Sequence, residues 1–445
     1  VCSATHLLLE QVPGSRQRIS AVSFSGQMMG AVLLDRSAVP VRPAIIWADT
    51  RSDAQSSQLV DRVGMAEGYR ITGHRINATY SLSKVMWVRD NEPEVFAAAR
   101  HCLCAKDYIA YRFTGVLATD PSDASGTNAF DQRAGSWSGL MLDAAGIDAA
   151  LFPEIVESTT VIGTVTAAAA AESGLIAGTP VVMGGGDGPM AALGAGVVDS
   201  TSGAYAYLGS SSWVSFASAE PVLDPLMRTM TFTHVVPDAF VPTATMQAGG
   251  ASLQWINEAL VPDDAHAYDG LLESAAAVAA SDDDLYFLPY LLGERSPYWN
   301  PRARAAFVGL ARHHGREHLV RAVVEGVAFN LASCLDAFAA NGVAIDSIDA
   351  IGGAANSSPL LQILTDVWGV RIRRRDLVDE ATSVGAAVVG GVGVGMFDSF
   401  AAAQRMSDVT AVFAPDAPAH ERYRSSHARF VDAYRRLEPW FEGER

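Results

Sequence analysis

The chain has 445 residues, 49% of them hydrophobic and 18% charged, with a formal net charge of −17. This length and composition allow two or three domains with sizeable cores and exclude wholesale disorder. The acidic excess repels phosphate backbones and excludes nucleic acid as a main partner, but not a mononucleotide, whose site needs only backbone N–H groups, a metal and one or two cations.

The four cysteines, Cys2, Cys102, Cys104 and Cys334, form no C-x-x-C pair and read as free thiols of a reducing, cytoplasmic compartment. No run approaches the roughly 18 apolar residues of a membrane span, so no membrane partner is expected. Ala4, Leu7, Leu8 and Val12 recur at helical spacing, as if the chain opened inside a domain; a truncated start is expected. Apolar runs predict strands at Ile19–Phe24, Ala31–Leu34 and Pro43–Trp47, then helices at Ser52–Arg62, Ser83–Arg89 and Lys106–Phe113. The Ala-rich tract Val165–Ala171 reads as helix or strand core. Thr179–Met183 predicts a buried strand leading into Gly184-Gly185-Gly186-Asp187, and Pro189–Val197 a helix.

The second half repeats this grammar. Ala204–Leu208 and Trp213–Phe216 are strands around Gly209-Ser210-Ser211-Ser212, and Thr231–Val236 and Phe240–Met246 form a hairpin around Pro237-Asp238. Leu319, Val323, Val327, Leu331 and Leu335 fall on one face of a long helix. Ile348–Ile351 runs into Gly352-Gly353; Val370–Arg373 and the helix Val384–Val392 complete the unit. Hairpin strands followed by βα units, twice over, predict two mixed-sheet α/β domains, residues 1–194 and 195–445, around a central cleft.

Several motifs carry potential chemistry. Asp187 ends a glycine run at the carboxyl end of a buried strand, where α/β sheets take ligands, and a carboxylate there can accept a proton from a substrate hydroxyl that attacks a phosphoryl group. The same pattern also suits an Asp that caps a helix after a glycine turn. Gly209–Ser212 offers N–H and hydroxyl groups to phosphate oxygens, or is an ordinary hairpin turn. Gly352-Gly353-Ala354-Ala355-Asn356-Ser357 could pass close to a nucleotide, but lacks G-x-G-x-x-G spacing, and no Walker A motif occurs. His314-Gly315-Arg316-Glu317-His318 matches H-x-x-E-H, yet Gly315 interrupts it and it reads as a polar lead-in to the long helix. No residue is assigned to a metal. The Arg371–Arg375 cluster reads as a solvated strand end.

Taken in order, the motifs resemble the FGGY carbohydrate kinases of the actin-like ATPase (ribonuclease H-like) superfold, most closely the xylulokinase branch. Ser25-Gly26-Gln27-Met28-Met29-Gly30 resembles the G-Q-M-H-G sugar loop, Trp47-Ala48-Asp49-Thr50-Arg51 resembles W-x-D-x-R, Lys84-Val85-Met86-Trp87 resembles K-x-x-W, and Asp123-Ala124-Ser125-Gly126-Thr127 resembles D-A-x-G-T. Gly184–Asp187 looks like G-G-G-D, Leu208–Ser212 like L-G-T-S, and Gly249–Trp255 like the start of the nucleotide-facing helix. Phe287-Leu288-Pro289-Tyr290 with Gly293-Glu294-Arg295-Ser296-Pro297 resembles F-L-P-Y…G-E-R-[ST]-P.

The resemblance implies ATP and Mg²⁺ as cofactors, a small-molecule sugar as partner, and at most a second copy of the chain in a homodimer. It implies Asp187 as general base, Gln27, Met28, Met29 and Asp187 at the sugar, and Gly209, Ser210, Ser211, Gly250, Gln254, Gly353 and Ser357 at the nucleotide. Three departures stand out. The family's opening D-x-G-T-[ST] segment does not occur in this sequence, Met29 replaces the sugar-contacting His, and Gly188 follows the base where relatives often carry Asn or Gln. A ketopentose such as xylulose is the expected substrate. The alternatives are another ketose, a polyol or a sugar acid, and, from a different class, a catalytically silent sensor of the same fold.

Overall fold

The computed structural model describes residues 1–260, 267–279, 284–376 and 379–443. In the first half, three short strands frame the site: β1 (Ser25–Gly26), β2 (Pro180–Val182) and β3 (Gly185–Gly186). β1 and β3 run parallel, Ser25 opposite Gly185 and Gly26 opposite Gly186, and a bridge from Val22 to Val181 extends the pairing upstream. The predicted Ile19–Phe24 strand is thus reduced to the Val22 bridge, and regular pairing starts later. The break lies at Gly184, at φ +74, where a Cβ would stand 2.1 Å from the Phe24 carbonyl oxygen; only glycine makes this kink. The predicted Pro43–Trp47 strand is likewise absent except for a bridge from Ile45 to Ala31, since Pro40 and Pro43 supply no N–H to a ladder. Ala31–Leu34 forms as expected, with Val32–Leu34 antiparallel to His101–Leu103. Among the described residues the strands of this half occur as short parallel and antiparallel pairs, the mixed pairing that was predicted, with single bridges such as that from Val22 to Val181 between them.

Helices α1 (Ser81–Asn91), α2 (Ala105–Thr114), α3 (Pro121–Ser125) and α4 (Asp187–Gly194) surround these pairs. α2 starts where the Asp107 carboxylate turns back to accept the Cys104 N–H. α3 starts at Asp120, which accepts from the N–H groups of Ser122 and Asp123, with Pro121 in the first turn.

The second half is built on a seven-stranded sheet, with a separate antiparallel pair, Tyr286–Leu288 and Ala306–Val308. The sheet contains β4 (Ala204–Leu208), β5 (Ser212–Phe216), β6 (Met230–Thr233), β7 (Phe240–Met246), β8 (Ser347–Ile351), β9 (Arg371–Arg375) and β10 (Val409–Phe413), in the order β6-β7-β5-β4-β8-β9-β10. The main helices of this half are α5 (Gly250–Leu260), α6 (Arg316–Ala339), α7 (Ser358–Trp368), α8 (Ala381–Gly393) and α9 (Ala417–Glu442). α6 is the one described helix long and apolar enough to cross a bilayer, but 83% of its apolar window is buried in the fold; it is the core helix. The His318 ring accepts the Gly315 N–H at its start, so the H-x-x-E-H segment caps α6.

Arg371 of β9 is exposed, but Arg373 and Arg375 are not a solvated strand end. β8 and β9 pair with Asp349 opposite Arg373, and the buried Asp349 carboxylate takes Arg373 at 2.6 Å and Arg375 at 3.0 Å. β10 and α9 had no signal in the sequence reading. All four cysteines are free, and Cys102, Cys104 and Cys334 are buried.

The two halves meet where α4 crosses α8, and again where Tyr69, Arg75 and Gln132 donate to carbonyls of Thr229, Met227 and Thr231 at and before β6. A Cβ on Gly194 would lie 1.7 Å from the Ala381 carbonyl oxygen, and one on Gly385 would lie 2.1 Å from that of Met190. Glycines at these positions let the two backbones touch.

Candidate active site

Strand alternation builds one wall of the site. In β4, β5 and β7 the even-numbered Ala204, Ala206, Val214, Phe216, Ala244 and Met246 face the main core. Their odd-numbered neighbours face the other way. The registers set Tyr205 opposite Ser215, Trp213 between Tyr207 and Thr245, and Ser215 beside Thr243, and the Tyr207 and Trp213 rings stack with centroids 4.1 Å apart. Tyr205, Trp213, Thr243 and Thr245 on this face, with Met230 and Phe232 of β6, look across a cavity of about 230 Å³ at Gln27, Met28, Met29 and Asp187. The four residues that the sequence assigned to sugar binding and catalysis therefore line one cavity, and the second half of the chain closes it.

Asp187 is the first residue of α4 and lines both this cavity and a wider groove of about 900 Å³ that passes Ser25, Gly26 and Gln27 on one side and Thr382 and Ser383 on the other. Its side chain faces cleft water and is walled by protein elsewhere. Desolvation pushes its carboxyl up to about 6, opposed by the Gly188 N–H, which donates to Oδ1 at 2.9 Å. The next peptide is pinned from the sheet: Tyr205 Oη donates to the Gly188 carbonyl at 3.2 Å and accepts from Trp213 Nε1 at 2.9 Å. A carboxylate so placed can act as a base near neutral pH.

The floor is made of thioethers. Met28 packs on Gly186 so closely that a Cβ there would lie 2.5 Å from its sulfur. Met29 has φ 65, uncommon for a residue with a side chain, and Gly126 leaves room beneath it, since a Cβ on Gly126 would stand 3.1 Å from Met28 Cε and 3.6 Å from Met29 Cγ.

At the other end of β4, Gly209, Ser210 and Ser211 form the turn into β5. The Gly209 carbonyl accepts the Gly250 N–H at 2.7 Å and the Ser210 carbonyl accepts the Ala251 N–H at 3.0 Å, tying the start of α5 to the turn. A Cβ on Gly250 would lie 2.6 Å from the Gly209 oxygen, and one on Gly352, at φ +89, would lie 2.9 Å from the Leu208 oxygen. Three glycine-bearing loops thus converge at the carboxyl edge of the parallel pair β4 and β8. A Cβ on Gly353 would meet nothing nearer than Asp379 Oδ1 at 4.0 Å. Ser357 caps α7 by accepting the Leu360 N–H, and the Gln254 amide donates to Glu258 on the surface of α5.

The sequence reading assigned no role to Trp47, Tyr205, Trp213, Phe232 or Arg295, all of which line the cavity. Arg295 lies over the Trp47 ring at 5.4 Å and makes no ion pair among the described residues. Burial lowers the pKa of its guanidinium. Glu294 beside it is 3% exposed and accepts from the backbone N–H groups of Gln247 and Arg295 and from Asn330 Nδ2 at 2.7–2.8 Å; burial pushes its carboxyl up to about 8. Trp47, Glu294 and Arg295 occur within the quoted W-x-D-x-R and G-E-R-[ST]-P segments, and Tyr205 and Trp213 lie on the odd-numbered face of β4 and β5, a signal that period-two alternation could have supplied; Phe232 comes from β6.

Comparison with known proteins agrees with this geometry. The N-terminal domain profile of the FGGY family of carbohydrate kinases matches residues 1–194, and the C-terminal domain profile matches residues 204–394. A xylulose kinase from Bacillus subtilis (strain 168) is 31% identical over 417 residues, covering 94% of this chain and 83% of the relative. A gluconokinase from the same organism is 29% identical over 454 residues, covering 98% of this chain and 86% of the relative. The crystal structure of a ligand-bound xylulose kinase from Lactobacillus acidophilus superposes with a TM-score of 0.93 at 25% identity, covering all of this chain and 89% of that one. The chain has the two-domain, actin-like ATPase fold of these enzymes and acts on a small-molecule sugar: it belongs to the FGGY family of carbohydrate kinases.

Proposed function

We propose that this enzyme transfers the terminal phosphoryl group of ATP to a hydroxyl of a ketopentose such as xylulose, with Asp187 as general base. The observation that carries the reading is that Gln27, Met28, Met29 and Asp187 line one sugar-sized cavity together with Ser211 of the glycine-serine turn. The sugar sits between Gln27, Met28 and Met29 and the wall of Tyr205 and Trp213, its C–H faces against the rings and thioethers. Asp187 takes the proton of the acceptor hydroxyl as it attacks in line. Apolar walls exclude water and limit hydrolysis of the nucleotide.

The nucleotide is assigned to the second half, with Gly209, Ser210 and Ser211 at the phosphates and Gly250, Gln254, Gly353 and Ser357 at the nucleoside. The fit rests on the packed glycine loops, whose backbones a side chain would force apart. Mg²⁺ is included as counter-ion of the phosphates. Among the described residues the one group of three ligand-type side chains, Cys104, Asp107 and Asp123, is sealed in the core and does not serve that ion. A lobe boundary after residue 194 belongs to the same proposal, as does a cytoplasmic location, which suits the buried free thiols.

A sugar acid is the second reading. Arg295 in the cavity wall and the gluconokinase relative favour it, since a guanidinium that makes no ion pair among the described residues suits a carboxylate. An ATP-coupled assay against xylulose, other ketoses, polyols and aldonates decides between them. A kcat/KM for xylulose at least tenfold above every other compound is expected, on the scale that one hydrogen-bonding difference confers. A preference for an aldonate refutes the ketopentose reading.

A further inference from the structure

Four ionisable side chains lie sealed beneath the site and take no part in the proposed transfer. Lys106, Asp107, Asp120 and Asp123 are each at most 2% exposed. Lys106 Nζ lies 2.7 Å from Asp107 Oδ1, 3.0 Å from Asp120 Oδ1 and 3.7 Å from Asp123 Oδ2. Burial works against the ammonium, but the three carboxyl groups more than offset this and raise its pKa. Burial holds the Asp123 carboxyl well above the usual range. One cation among three acids is costly to bury and is weak support for stability in itself.

The contacts of this cluster lead to both loops of the site. Toward the base, Asp120 Oδ2 accepts from the Ser122 hydroxyl at 2.5 Å and the Ser158 hydroxyl at 2.8 Å. The Ser122 oxygen in turn accepts the N–H of Gly186 at 2.9 Å, and Gly186 directly precedes Asp187. Toward the sugar loop, Gly26 lies so close to Lys106 that a Cβ would stand 2.5 Å from the lysine's own Cβ. β3 is thus gripped on two edges. The Gly185 N–H donates to the Phe24 carbonyl on one side, and the Gly186 N–H donates to Ser122 on the other.

The glycine run makes such a grip necessary. Gly184, Gly185 and Gly186 permit the close packing of Phe24, Met28 and Ser122, but three successive glycines leave the backbone soft just where a base must be aimed. A serine hydroxyl has one donor. Here Asp120 takes it, so an oxygen lone pair is left to face the Gly186 N–H.

We infer that Asp120 and Ser122 are positioning residues: the Ser122 hydroxyl, oriented by Asp120 and braced through it on Lys106, holds the Gly186–Asp187 peptide so that the carboxylate stays aimed at the acceptor hydroxyl. This rests on the reading of Asp187 as base. Neither residue touches substrate. The relay acts on orientation alone, so it governs turnover and leaves ground-state binding of the sugar in place.

The test compares S122A, S122C and D187N in the full chain by coupled assay over a pH series, with sugar binding by calorimetry and folding by circular dichroism and Tm. S122A is expected to lose about tenfold to a hundredfold in kcat, as a slightly misaimed group does, while sugar Kd stays within about threefold and the midpoint of the acid limb does not move. S122C, which fills the same space with a weak acceptor, is expected to fall between S122A and wild type, and it carries the test if S122A does not fold. Wild-type kcat in a folded S122A overturns the inference. So does a loss accompanied by an equal loss of sugar binding and Tm, which marks simple packing. Turnover surviving in D187N overturns the base assignment itself and the inference with it; D187N inactive beside a fully active S122A overturns the relay alone.

Discussion

Replacing Asp187 by Asn tests the base and exposes what the base costs. Asn keeps the shape and can still accept the Gly188 N–H, which reaches Oδ1 at 2.9 Å, but it cannot take a proton. Loss of a positioned general base lowers turnover by about 10²–10⁴-fold, with sugar binding retained. Desolvation raises the Asp187 pKa from 3.8 to about 6, so with Asp187 as base the wild-type enzyme is expected to work above pH 6 and to lose activity as pH falls through 6 and the carboxylate protonates. The same rise has a stability consequence. The folded protein binds this proton more tightly than the unfolded chain, so the ionised carboxylate burdens the fold increasingly as pH rises from about 4 to past 6. For a carboxylate fully removed from water, a rise of that size would cost about 3 kcal/mol. The carboxylate faces cleft water, and screening reduces this to about 1 kcal/mol. D187N should therefore melt about 1 °C above wild type at pH 7.5, with the difference vanishing below pH 4. Coupled-assay kinetics and calorimetric melts across pH 4 to 8 measure both effects. Turnover above a tenth of wild type, or an acid limb with its midpoint below pH 5, refutes the reasoning.

Other perturbations address other parts of the site. M29H places a hydrogen-bonding ring in the cavity at a backbone angle that His tolerates better than Met; kcat/KM for xylulose should rise about tenfold, read against unchanged Tm. G250A brings a Cβ to 2.6 Å from the Gly209 oxygen and should raise the KM for ATP about tenfold while the KM for sugar holds, measured by varying each substrate in turn. R373A removes one of two arginines from the buried Asp349 and should cost about 1–3 kcal/mol, seen as a lowered denaturation midpoint with kinetic constants intact.

Legibility differed between the halves for physical reasons. Ala204–Leu208 and Phe240–Met246 coincide with their predicted bounds, because each lies inside a wide sheet and is a short run buried almost throughout, bounded by turn residues. The strands near Ile19 and Pro43 misled because their apolar runs serve loop packing around Gly184 and beside prolines, where single bridges replace ladders. Arg373 of β9 read as solvated because charge was judged along one strand; its partner Asp349 sits on a neighbour 24 residues away. The cavity wall was hidden for a related reason: Tyr205, Trp213 and Thr245 belong to three strands and meet only through register. Motif order named Asp187, but nothing local revealed that Ser122, far upstream in the chain, holds the peptide before it.

The glycine crossing of α4 and α8 bears on how the two lobes move. A hinge turns least where backbones touch, and here they touch along the helix that starts with Asp187. With Asp187 as the proposed base, closure of the cleft is then expected to displace the loops of the second half more than the carboxylate, which starts the helix packed backbone to backbone against α8.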